Sequence, residues 1–252
     1  VSRRGVRVTE ASRWVFNRLA ADYRHRPGYP AALAERLLAV AGGPGARVAD
    51  LGAGSGHLAL PLARLGARVH AVEPARAMLD LLAEEAGGLA VEPVHAAAEE
   101  TGLAPGAFDL VLLADALQWV DPERGGREVA RLLAPGGALA VVVPALADTP
   151  FLRALRERLA AANPKAAPRP PPVALLFAVA GLPSPALERF EDDALLDDAA
   201  LAAVVRSLSY AGPALGPAAL ERVVEDVRAL ARAHGGARWR RELALHVARR
   251  RR

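Results

Sequence analysis

Between Arg47 and Glu73 the chain passes through a short apolar run, a glycine-rich bend, a helix-spaced run and a second apolar run that ends on a carboxylate. The glycines lie in Val48-Ala49-Asp50-Leu51-Gly52-Ala53-Gly54-Ser55-Gly56, and the acid in Val69-His70-Ala71-Val72-Glu73-Pro74. Residues 47–51 read as a buried strand. Apolar residues then recur at helical spacing from Leu58 through Leu65, and residues 67–72 read as a second buried strand. Strand, bend, helix, strand is the opening unit of a parallel α/β sheet, with the bend at a strand's carboxyl end. Glycine there tolerates positive φ and leaves no Cβ between main chain and ligand, so Gly52 and Gly54 permit close approach. An acid about 20 residues past the first glycine is placed to accept both hydroxyls of a ribose. The unit predicts a pocket for an adenosyl cofactor with Glu73 as the sugar ligand. The plainer alternative is an ordinary tight turn beside a solvated acid.

Other nucleotide motifs fail at particular positions. In G-x-G-x-x-G the third glycine would fall at position 57, which is His57, so a nicotinamide enzyme is disfavoured. A phosphate loop needs a lysine after its last glycine, and the only lysine, Lys165, lies far downstream.

With these residues the chain resembles the class I S-adenosylmethionine-dependent methyltransferases, in particular the small-molecule group called type 11. Further stretches match in order. Val94-His95-Ala96-Ala97-Ala98-Glu99-Glu100 is similar to the third adenosyl-contacting loop, residues 108–114 to the fourth strand, and Leu132-Leu133-Ala134-Pro135-Gly136-Gly137 to the turn before the fifth. Asp115-Ala116-Leu117-Gln118-Trp119 occupies the loop that faces the sulfonium in such enzymes. Tyr23-Arg24-His25-Arg26-Pro27-Gly28-Tyr29-Pro30, with Ser207-Leu208-Ser209-Tyr210 and the basic C-terminus, resembles a subgroup of trans-aconitate methyltransferase-like proteins.

The resemblance implies a Rossmann-like, doubly wound α/β fold with a seven-stranded sheet, mostly parallel with a final antiparallel strand at residues 242–248. It implies a single methyltransferase domain over residues 1–252: an N-terminal helical lid at 8–40, a cofactor-binding core at 41–145, and a helical insertion with the last strands at 146–252. The implied cofactor is S-adenosylmethionine, with S-adenosylhomocysteine as product. The implied cofactor-binding residues are Tyr23, Arg26, Asp50, Gly52, Ala53, Gly54, Gly56, Glu73, Pro74, Met78, Ala98, Glu99 and Asp115. Two departures stand out. The usual polar adenine contact in the third loop is Ala97 here, leaving groups near Ala98 and Glu99. The loop after strand four also lacks the Asn/Asp-Pro-Pro-Tyr/Phe sequence of base N-methylating enzymes.

With 252 residues, 52% apolar and 24% charged, one good core is affordable. No run of eighteen apolar residues occurs, and no apolar stretch follows the basic start Val1-Ser2-Arg3-Arg4, so the expectation is a cytoplasmic protein without a membrane span. Zero cysteines exclude disulfides and thiolate chemistry, and six scattered histidines show no metal-site spacing. A pI near 10.2 invites a nucleic-acid partner. The net charge is only +4, however, and the main cluster, Arg238, Arg240, Arg241 and residues 249–252, lacks interleaved aromatics. Frayed, solvated charge is the expectation there.

Helical spacing covers residues 11–21 and 29–40, with Pro27 and Pro30 between them and Pro30 at a helix start. From residue 47 to 143 strands alternate with helices, including a helix-like segment between strands three and four, a helix at 127–133 and a strand at 138–143. Beyond Pro144 the pattern predicts a helix at 151–162, a proline-rich loop at 163–172, a compact apolar stretch at 173–180, a short strand at 187–190, and amphipathic helices at 198–207 and 217–233.

Methyl transfer requires the nucleophile held in line with water excluded. His25, His57, Asp115 and Gln118 are the groups near the expected mouth. His57 reads either as a base or as a first-turn surface histidine, Asp115 as an ammonium or substrate contact or as a helix N-cap, and Arg26 as a carboxylate partner or a solvated lid residue. Met78 reads as an adenine-packing or a plain core residue, and Trp119, with Gln118, as a wall of the acceptor site or as packing. The expected reaction is methyl transfer to oxygen, nitrogen or carbon of a small-molecule acceptor, a carboxylic acid among the candidates. RNA or protein methylation, or adenosyl-ligand binding without turnover, are the alternatives. The oligomeric state is not encoded in any feature of the sequence.

Overall fold

The computed structural model describes residues 15–164, 170–209, 211 and 214–251. Expectations on residues 1–14, on the middle of the proline-rich loop and on Tyr210 and Arg252 lie outside the described residues.

Two helices, α1 (Val15–Tyr23) and α2 (Ala31–Ala41), precede the sheet; Pro30 sits at the N-cap of α2. The sheet core then runs β1 (Arg47–Leu51), α3 (Ala59–Arg64), β2 (Arg68–Val72), α4 (Arg76–Ala86), β3 (Val91–Val94), β4 (Phe108–Ala114), α5 (Pro122–Leu132) and β5 (Leu133–Leu146). A single 3-10 turn, Leu117–Trp119, separates β4 from α5. The C-terminal third adds α6 (Pro150–Ala162), α7 (Val173–Val179), β6 (Ala186–Leu196), α8 (Asp198–Ser207), α9 (Pro217–Ala233) and β7 (Ala237–Arg249).

The seven strands lie in the order β3-β2-β1-β4-β5-β7-β6. The first five are parallel, and β7 runs antiparallel to both β5 and β6. The strand order reverses at β1, so the carboxyl ends of β1 and β4 open a crevice, the usual ligand position in such sheets. Both faces are covered, which explains why the strands are near-continuously apolar. Leu33, Leu37, Val48, Leu62, Leu110 and Leu243 fill one side. Leu51, Val111, Leu139, Leu176 and Phe177 fill the other. A third cluster joins α6, α8 and α9 to Trp239 of β7.

Three sequence expectations are corrected. No helix lies between β3 and β4: Gly102 and Gly106 take positive φ there, and Thr101 is tied through its amide and hydroxyl to Glu128 of α5. The strand expected at 187–190 extends over Ala186–Leu196, paired along its whole length with β7. Of the C-terminal arginines, Arg249 and Arg250 are not frayed. Arg249 donates to the carbonyl of Val40 at 2.6 Å, and Arg250 to those of Ala130 and Leu133 at 2.9 Å. Arg238 and Arg240 face Asp193 and Glu191 across the β6–β7 pair. No helix among the described residues is long and apolar enough to cross a membrane.

Candidate functional site

β1 and β2 end level, Leu51 opposite Val72, so the chain leaves both strands at the same height. The amides of Gly52 and Ala53 donate back to the Val72 carbonyl at 2.8 and 3.0 Å, which folds the bend over the end of β2. Gly52 and Gly54 take φ of 79° and 56°. A Cβ on Gly52 would stand 2.7 Å from the Cβ of Ala116, so both backbone and space require glycine. Glu73, 6% exposed, closes the arrangement: its two carboxylate oxygens accept from the amides of Gly54 at 3.0 Å and Ala75 at 2.8 Å. Each oxygen keeps lone-pair capacity for a further donor. Burial raises the Glu73 pKa, opposed by those two amides.

Bend and acid border a cavity of about 860 Å³ over the carboxyl edge of the sheet. Of the residues singled out from sequence, Gly52, Gly54, Glu73 and Pro74 form its floor at this end. Met78, Ala98, Glu99, Tyr23, Arg26, Asp115 and Gln118 line it as well, Tyr23 standing against Gly54. Met78 is 1% exposed and packed with Phe16 and Tyr23, as a core residue would be, and it also borders the cavity. Glu99 accepts from the Asp121 amide at 2.9 Å.

Five singled-out residues do not border it, His57 among them. His25 lies in a shallow outer groove with Asn17, Arg24 and Asp80, because the turn after α1 points it away. Ala53 packs into the sheet core, and a Cβ on Gly56 would press on Leu60 and Leu82 at 3.0–3.1 Å, so both serve packing of the bend. Asp50 is 2% exposed and shares the strand face of Val48 by alternation. Burial, reinforced by Glu73, pushes its pKa up to about 7.

The remaining alternatives resolve by geometry. His57 precedes α3 rather than lying in its first turn, and stacks on Tyr23 with ring centroids 5.6 Å apart. Burial, with Arg26 and Arg241 nearby, lowers its pKa to about 4, so the imidazole is neutral. Asp115 does not cap the 3-10 turn, whose N-cap is Ala116. Instead Gln118 donates its side-chain amide to the Asp115 carbonyl and carboxylate at 2.8 and 3.1 Å. Asp115 is the only non-glycine residue with positive φ among those described, at 49°. Arg26 is no solvated lid residue. It donates to the hydroxyl and carbonyl of Ser207 at 2.9 Å each and lies 4.4 Å above the Tyr23 ring. Trp119 meets Phe16 edge to face at 5.3 Å and helps wall the mouth.

Sequence reasoning missed the far side of the cavity, built by Leu146, Arg156, Leu159, Val204, Trp239 and Arg241. Arg241 donates to Asp192 and to the Gly28 carbonyl and lies beside the Tyr29 ring, so it clamps the N-terminal segment to β6 and β7. The alternation of Trp239, Arg241 and Leu243 along β7 was the available signal.

A doubly wound sheet with a glycine bend and a carboxylate over its switch point is the architecture of the Rossmann-like class. Residues 49–141 match a methyltransferase domain family, the type 11 group. An uncharacterized methyltransferase of Mycobacterium tuberculosis is 44% identical over 124 residues, 49% of each chain. The ubiquinone biosynthesis O-methyltransferase of a Caulobacter species is 41% identical over 102 residues, 38% of this chain and 40% of that one. The chain spans about half the length of the curated relatives it matches. A structure of a candidate type II methyltransferase from Anaeromyxobacter dehalogenans superposes with a TM-score of 0.64 at 25% identity, covering 90% of this chain and 97% of that one. By this match the sheet core, residues 49–141, is similar to the methyltransferase domains of the type 11 family.

Proposed function

We propose that the protein transfers the methyl group of S-adenosylmethionine to a small-molecule acceptor. One observation carries this reading: the Gly52–Gly54 bend and Glu73 are joined by a 3.0 Å hydrogen bond at one end of a cavity that continues past Asp115 to Trp239. The volume beyond the bend gives a second molecule room beside the cofactor, and its enclosure suits a small one. The Caulobacter relative, an O-methyltransferase of ubiquinone biosynthesis, supports the same acceptor size.

When bound, the cofactor supplies a sulfonium methyl, an electrophile that needs no further activation. The chain's part is to bind, orient and exclude water. Glu73 would accept the ribose hydroxyls, and Gly52 and Gly54 would admit the cofactor against bare main chain. Met78, Ala98 and Glu99 would enclose the adenine, and Asp115 and Gln118 stand where β4 ends, beside the acceptor space. Phe16, Tyr23 and Trp119 would close the mouth against solvent.

Calorimetric titration with S-adenosylhomocysteine tests the reading, with mass spectrometry of small molecules retained by the purified protein alongside. Saturable one-to-one binding is expected. A folded protein with no affinity for S-adenosylhomocysteine refutes it.

A further inference from the structure

The half of the cavity beyond Asp115 has a composition of its own. Leu146 of β5, Leu159 and Ala160 of α6, Val204 of α8, Leu208 and Trp239 surround it. Three cations also border the cavity among the described residues, Arg26, Arg156 and Arg241, and each is already matched by an aspartate. Arg26 stands 3.9 Å from Asp115 while donating to Ser207. Arg156 meets Asp148 at 3.0 Å and donates to the Leu146 carbonyl at 3.0 Å. Arg241 is spent on Asp192 and the Gly28 carbonyl. An anionic acceptor would have to compete with these aspartates and carbonyls for guanidiniums that are already partnered, and an ammonium acceptor would bring its charge into a lining that holds three guanidiniums.

At the junction of the two halves the acid is Asp115. Gln118 donates to one of its oxygens at 3.1 Å, and the other lies 3.9 Å from Arg26, outside hydrogen-bond range. Its side chain is 36% accessible although the residue lies deep in the fold, which places that exposure toward the cavity. The positive φ is a local strain of the kind that accumulates where a side chain must be aimed. Glu73 and Glu99, on the cofactor side, are each bonded to backbone amides instead.

Resting on the methyltransferase reading above, we infer that the acceptor is a neutral, largely apolar alcohol or phenol, and that Asp115 receives its hydroxyl proton. The hydroxyl oxygen's electron pair forms the new O–CH3 bond, and the carbon–sulfur bond breaks with its pair going to sulfur. The proton passes to the Asp115 carboxylate and from there to solvent. Burial holds Asp115 above the usual carboxylate range, with Arg26 opposing, which suits a proton acceptor. The groups that face it are the cations Arg26 and Arg241 and the phenols of Tyr23 and Tyr29.

The test uses the full chain, S-adenosylmethionine and three acceptors on one skeleton: 2-naphthol, 2-naphthoic acid and 2-naphthylamine, with methyl transfer read by mass spectrometry. The naphthol should show kcat/KM about 100-fold above the other two. Asp115→Asn should lower kcat on naphthol by about 100-fold, the ordinary scale of general-base catalysis. It should also remove the acid limb of the pH–rate profile and leave S-adenosylhomocysteine affinity within about two-fold, as no loss of cofactor contact is involved. Preference for the acid or the amine overturns the inference, and so does no turnover of naphthol by protein that binds S-adenosylhomocysteine. A variant that loses cofactor affinity instead of kcat reassigns Asp115 to the cofactor. Absence of S-adenosylhomocysteine binding by the unaltered chain would refute the underlying function, and the inference with it.

Discussion

The two ends of the cavity are made of different material. Around Gly52 and Glu73 the contacts are main-chain: amides of Gly52 and Ala53 on the Val72 carbonyl, and amides of Gly54 and Ala75 on one carboxylate. Around Trp239 the wall is side chains from β5, α6, α8 and β7, fixed by guanidiniums that reach across long sequence separations. A main-chain site needs only strands in register and glycine at two positions. A side-chain wall depends on several distant elements arriving together.

The largest expected loss of stability lies at the side-chain end. Arg241 and Asp192 keep only 12% and 14% of their side chains exposed, and Arg241 also secures Gly28 and lies beside the Tyr29 ring. Arg241→Met should cost about 3 kcal/mol of stability, because Asp192 is left as a buried charge without its partner. Urea unfolding measures it. A loss below about 1 kcal/mol, the scale of an exposed pair, would show that the wall does not hang on this clamp.

Next comes the main-chain end. Glu73→Ala should weaken S-adenosylhomocysteine by about 2 kcal/mol, roughly 30-fold, through loss of charge-assisted bonds. The same change leaves the Gly54 and Ala75 amides without their acceptor, so about 1–2 kcal/mol of stability should go as well. Calorimetry and unfolding separate the two. Unchanged affinity in the folded variant would detach the acid from the site.

The same contrast explains what was legible in the sequence. β1, α8 and α9 match their expected bounds, and the bend and its acid are adjacent as their spacing required, because strand period, glycine and cap residues act locally. Asp197, for instance, caps α8 by accepting from the Ala200 amide. The full reach of β6 was hidden because its burial alternates without any fully buried position: it is an edge strand whose polar positions, such as Glu191 and Asp193, pair with arginines of β7. The helix-like segment after β3 failed because Thr101 is claimed by Glu128, a partner no local pattern reveals. Arg26 looked like a candidate for a ligand carboxylate, and only the position of Ser207 shows where its guanidinium goes.

Charge balance gives the last effect, one that vanishes at acid pH. The acceptor end pairs every guanidinium with an aspartate, whereas at the cofactor end Asp50 is buried and the only charged neighbour that shifts it is another acid, Glu73. Its pKa is raised from 3.8 to about 7 in the folded protein. Between those values the folded chain holds a proton that the unfolded chain has released, so stability falls as pH rises. The contribution is fully present below about pH 4 and lost once pH passes about 7. Asp50→Asn keeps the shape and removes the ionisation. Its stability relative to the unaltered protein should rise across that window, reaching about 4 kcal/mol at pH 8 and vanishing at pH 4. Urea unfolding of both proteins at three pH values reads the difference directly. A difference that does not change with pH would mean that Asp50 carries its charge at no cost in the folded state, and the two ends would then be equally balanced.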